Sequence, residues 1–91
     1  MEGSEWFSTR FKRPVILTRH GQARMRERGI TLPMVADLVE SGEIIPKNER
    51  NLWIVKAYPE RADNLICAAV AVENVVVIKT VMHNWQLMEA P

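Results

Sequence analysis

The run from His20 to Ile30, HGQARMRERGI, holds the residue types from which proton transfer and phosphate binding are made. At about 100° per residue, a helix over this run puts His20, Gly21, Arg24, Met25 and Arg28 on one side and Arg19, Gln22 and Arg26 on the other. An ordinary amphipathic helix turns only apolar groups inward. A histidine and two arginines flanking Gly21 and Met25 therefore read as a floor with charges at its edges. Imidazole serves as acid or base near neutral pH, and guanidinium offers a fixed fork of donors matched to phosphate oxygens. A second polar set, Lys79, Thr80 and His83, lies in the late run VVVIKTVMH. Strict alternation there predicts Val76, Ile78, Thr80 and Met82 on the uncharged face under the helices, with Val75, Val77, Lys79, Val81 and His83 on the other. On that reading His20, Arg24 and Thr80 converge where the helix crosses the sheet, with Arg28 on the same stripe completing the candidate catalytic set, and Lys79 and His83 form a separate substrate-binding pair on the opposite face. The chemistry such a set suits is metal-independent RNA cleavage. The 2′-hydroxyl attacks the adjacent phosphorus while the protein moves protons and stabilises the transition state with cations. With two histidines far apart and no carboxylate cluster near them, the expected metal content is none, and no cofactor is expected.

The elements that must position these groups can be read from their ends. Thr18 is a natural N-cap and Gly29 a natural C-terminal stop for the first helix. Thr31 caps a second helix with Pro33 in its first turn, a stripe of Met34, Val35, Leu38 and Val39, and Ser41-Gly42 at its end. After Gly42 the period falls from 3.6 to 2. Glu43 to Ile45, Leu52 to Tyr58, Leu65 to Val72 and Val75 to Met82 read as strands, the last two joined at Glu73-Asn74 as a tight hairpin. The predicted architecture is α+β: two N-terminal helices packed on a three- to four-stranded antiparallel sheet. Residues 1–13, with Trp6, Phe7 and Phe11 among Arg10, Lys12 and Arg13, show neither period. They are read as an N-terminal arm ahead of a single domain over 14–91, with Val15 to Leu17 a short strand or a helix lead-in. The tail, with Trp85, Leu87 and Met88, is expected to dock back or to mediate self-association as a homodimer.

Ninety-one residues make one core, since a chain this short buries only roughly 60–65% of the surface it exposes unfolded. A net charge of +1 gives no global pull toward nucleic acid or membrane, so any such pull is local. The lone Cys67, in LICAAVAV, excludes an intramolecular disulfide and a cysteine metal cluster, and reads as a buried inert thiol. No apolar run reaches the roughly 18 residues of a membrane span, and the opening MEGSEW lacks signal-peptide order. A cytoplasmic protein is expected, without membrane contact.

The runs TRHGQARMRERGI and TLPMVADLVESGEII resemble the opening of the bacterial family called domain of unknown function 4258. That pattern is a histidine, an arginine four residues later, R-G-I, a second helix and a glycine before a strand, and the likeness continues to a threonine in the last strand, Thr80. Helices followed by antiparallel strands are also similar to RelE-like and BrnT-like toxins. The resemblance implies His20, Arg24, Arg28 and Thr80 as site residues, RNA as substrate and a silencing antitoxin or other protein partner. The competing reading is a non-enzymatic protein-interaction module, in which the same polar groups hold the fold and the apolar arm and tail bind a partner.

Overall fold

The computed structural model describes residues 5–86. Eight elements follow in order: β1 (Trp6–Ser8), β2 (Arg13–Leu17), α1 (Arg19–Arg28), α2 (Leu32–Ser41), β3 (Glu43–Pro46), β4 (Asn51–Lys56), β5 (Ile66–Val72) and β6 (Val76–Met82). Both helices begin and end where their caps predict. The Thr18 and Thr31 side chains accept from the backbone N–H of Gly21 and Met34, and Gly29 takes the left-handed conformation at φ 64° that closes α1.

The sheet departs from the expected one. It has six strands in the order β1-β2-β6-β5-β4-β3 and is mixed, since β2 runs parallel to β6 while every other pair is antiparallel. The meander β3 to β6 follows the alternation of the sequence as far as Ile78 in the last strand. β1 is only three residues long, too short for a period to register, whereas β2 resolves the open reading of Val15 to Leu17 as a strand, extended back through Pro14 to Arg13. Pro14 is tolerated because β6 pairs only from Val15 onward, so its missing N–H falls outside that ladder. The β1–β2 turn is tied to α2 through Glu40, which accepts from the Trp6 indole, the Thr9 hydroxyl and the Arg10 backbone.

Both helices cover one face of the sheet. Val35, Leu38 and Val39 from α2 and Met25 from α1 meet Ile54, Ile66, Ala68, Val70, Val76, Ile78 and Val81 in a single buried cluster. Gly42 is needed for close approach: a Cβ there would lie 2.6 Å from the Leu38 carbonyl oxygen and 2.7 Å from the Ile54 methyl. At the outer side of α2, Asp37 accepts from Tyr58 at 2.7 Å and Lys56 at 2.9 Å. The bond from Lys56, then that from Tyr58, holds its carboxyl below the usual carboxylate range. Cys67 is fully buried, and burial pushes its thiol up to about 12. Leu87 and Met88, expected to join Trp85 in a docking tail, lie outside the described residues.

Candidate functional site

Helix α1 lies along β6 because Gly21 lets it. A Cβ at that position would stand 3.1 Å from the Ile78 carbonyl oxygen. The N-terminal end is fastened to the same strand, with the Thr18 hydroxyl donating to the Lys79 carbonyl at 3.0 Å and the Thr18 N–H to that of Ile78 at 3.2 Å. Gly21 and Met25 form the buried floor, and the charged groups stand at its edges. His20 is exposed. Arg24, one turn on, donates to both carboxylate oxygens of Glu27 at 2.8 Å. Arg28 donates to the Val81 carbonyl at 2.6 Å.

A bulge in β6 overturns the expected facing of the late residues. Val70 pairs with Ile78 and Ala69 with Thr80, so Lys79 is an extra residue without an opposite number. An added residue reverses the alternation beyond it. Val76, Ile78 and Val81 therefore all enter the core, while Thr80 shares the face of Ala69 and Trp53, away from the helices. Lys79 reaches across that open face to donate to Asn51 at 2.7 Å. His83 is carried to the helix side. Thr80 thus leaves the set with His20, Arg24 and Arg28, and Lys79 and His83 do not form a pair.

What His83 joins is a cluster at the C-terminal end of α1. The loop between β4 and β5 is clamped by Asn64, whose carbonyl oxygen accepts from the Tyr58 N–H and whose amide donates to the Tyr58 and Arg61 carbonyls. That clamp presents Arg61 and Asp63. Arg61 donates twice to Asp63 at 2.7 Å and also to the Arg28 and Gly29 carbonyls at 2.8 and 2.9 Å. It caps the end of the helix, where a cation also meets the negative pole of the dipole. The chain after β6 returns to the same loop, with the Asn84 N–H donating to Asp63 O at 2.7 Å and that of Trp85 to Leu65 O at 3.0 Å.

Between these attachments His83 places Nδ1 2.9 Å from Asp63 Oδ2. A carboxylate on Nδ1 fixes the ring and leaves Nε2 as the outward nitrogen, and among the described residues Nε2 has no hydrogen-bond partner. Hydrogen bonds from Arg61 and then His83 hold the Asp63 carboxyl well below its usual range, against the opposing effect of burial. The Arg61 guanidinium is driven up by the same carboxylate. The Asp63 carboxylate is thus shared by the Arg61 guanidinium and the His83 imidazole. The cluster is accessible, His83 being 35% exposed and Asp63 24%. A cleft of about 240 Å³, bordered by Leu17, Met25, Ile30 and Leu32 and by the polar Glu5, Gln22 and Arg26, lies elsewhere on α1. Among the described residues no group of three or more His, Cys, Asp or Glu could hold a metal.

Arg61 and Asp63 escape the sequence reading because PERADN looks like an ordinary polar loop. The available signal is an arginine and an aspartate two residues apart, followed at once by an asparagine able to clamp the loop.

The fold and this cluster define a small α+β protein in which two helices cover one face of a mixed sheet and a carboxylate-held histidine sits at the end of the last strand. The chain belongs to the family described as Domain of unknown function (DUF4258), whose model matches residues 17–83, from the residue before the α1 cap to the histidine itself. No curated protein and no solved structure matches it.

Proposed function

We propose that the protein is a metal-independent endoribonuclease, in which His83 is the proton-transfer group and Arg28 the cation at the scissile phosphate. The observation that carries this reading is the Asp63–His83 contact beside Arg28. Asp63 orients the imidazole by its Nδ1, and Arg28, fastened by one nitrogen to Val81, two residues before His83, retains further donors for an anion. The RNA 2′-hydroxyl supplies its own nucleophile, so the step needs no metal-bound water. Nε2 takes the hydroxyl proton as the 2′-oxygen bonds to phosphorus, Arg28 offsets the charge that develops on the phosphoryl oxygens, and the bond to the 5′-oxygen breaks as that oxygen gains a proton from water. The products are a 2′,3′-cyclic phosphate and a 5′-hydroxyl end. An open surface suits a polymer backbone better than a small enclosed substrate. A toxin role within a toxin–antitoxin pair belongs to this reading.

The test is incubation with RNA in chelator. Wild type should leave cyclic phosphate ends, and His83→Gln and Arg28→Gln should each lose the activity. Growth arrest on expression, relieved by His83→Gln, is the outcome that extends the reading to a toxin. Should the wild type leave RNA intact, the enzyme reading fails and an interaction module remains.

A further inference from the structure

The face of the sheet opposite the helices brings two lysines, Lys47 and Lys79, together with two tryptophans, Trp53 and Trp85. Trp53 of β4 points there, since its neighbour Ile54 is in the core, and Trp85 packs against it with ring centroids 5.6 Å apart at 52°. The Lys47 ammonium stands 5.5 Å from the Trp53 ring centre. Ala69, flanked in the ladder by Trp53 and Thr80, leaves a shallow small-residue floor beside the rings. Lys79, turned to this face by its alternation with the buried Ile78, is held by the neutral Asn51 amide. Among the described residues neither lysine is paired with a carboxylate, and the strand carboxylate that shares the face, Glu43, lies at its far edge on β3.

We infer that this open face is a binding track for single-stranded RNA, with bases against the Trp53 and Trp85 rings and backbone phosphates at Lys47 and Lys79. The inference rests on the reading of His83 as a phosphodiester site, and it names the form of the substrate. Aromatic rings beside cations, on a sheet face that carries no helix among the described residues, suit unpaired bases, because every base has a stackable face and every linkage a negative charge. A duplex hides its bases from such a platform. The two surfaces are joined by the chain itself: His83 is on the helix side, and Trp85, two residues later, is on the open side. A strand cut at His83 therefore passes round the end of β6 onto the tryptophans.

The test uses a single-stranded 2′-O-methyl oligoribonucleotide, which lacks the attacking hydroxyl and so reports binding without cleavage. Wild type should bind it with quenching of tryptophan fluorescence. Trp85→Ala should weaken binding roughly tenfold and Trp85→Phe much less, while Lys79→Gln, at an exposed position, should lower the salt slope of binding by about one. Double-stranded RNA should bind more weakly. The inference is overturned if the strand does not bind, if Trp85→Ala and Lys79→Gln bind as wild type does, or if sedimentation shows a dimer that Trp85→Ala dissociates, which would give the face to a second copy. Binding without cleavage of ordinary RNA would remove the nuclease reading and leave this one. Cleavage without strand binding would do the reverse.

Discussion

The two histidines stand at opposite ends of the same helix and differ in what surrounds them. His20, on the first turn of α1, is exposed, and the nearby Arg24 is engaged by Glu27. His83 comes from the other end of the chain, yet it is gripped by Asp63, which Arg61 fixes against the helix C-terminus. Residue type is the same at both places. The difference lies in a carboxylate held rigidly by a loop clamp, which turns a mobile imidazole into one with a defined outward nitrogen. A helical stripe brings a histidine and arginines near one another; orientation requires a partner from a distant segment.

The contrast can be broken most directly by exchanging the roles of the two residues. His83→Gln should lower the initial rate of RNA cleavage by about 100-fold or more, whereas His20→Gln should leave it within about twofold of wild type; a reversed ranking in a gel-based rate assay would move the site to the other end of α1.

Asp63→Asn sharpens the comparison by keeping the shape of the grip and removing its charge. Cleavage should fall and the melting temperature should drop at neutral pH. Because the folded carboxyl is held below its unfolded value, its contribution to stability is fully present above the ordinary aspartate range. It is lost as pH falls below about 4 through the lowered folded value. The gap in melting temperature between wild type and Asp63→Asn should therefore close in acid, and a gap independent of pH would contradict the arrangement.

At the His20 end the fastening is a cap. Thr18→Ala removes the acceptor for Gly21 and the donor to Lys79, and should cost about 1 kcal/mol in urea unfolding with the cleavage rate of the folded protein preserved. The smallest effect belongs to Thr80. Thr80→Val should change stability by less than about 0.5 kcal/mol and leave cleavage as it is, because the hydroxyl lies on the sheet face away from Arg28 and His83.

Much of the secondary structure is legible in the chain because its signals are local. Thr18, Gly29, Thr31 and Gly42 mark the helix ends through hydrogen bonds and backbone conformations that span a few residues. The stripe of Val35, Leu38 and Val39 shows which side of α2 is buried. The candidate site was only partly legible. Arg28 and His83 stand out by type, but their juxtaposition does not, and Arg61 and Asp63 look like solvated loop residues until Asn64 is seen to clamp their loop.

The sequence alone determined where the helices start and stop, that the last four strands form an antiparallel meander, and that Cys67 is an isolated buried thiol. Tertiary structure decided the pairing of β2 with β6, the facing of every residue after Lys79, and hence which histidine meets a carboxylate. The physical reason is that capping and periodicity are properties of one segment, whereas a bulge is a property of two paired strands. In a run as uniformly apolar as VVVIKTVM either facing buries comparable surface, so only the register against β5 settles that Thr80 turns out and His83 turns in.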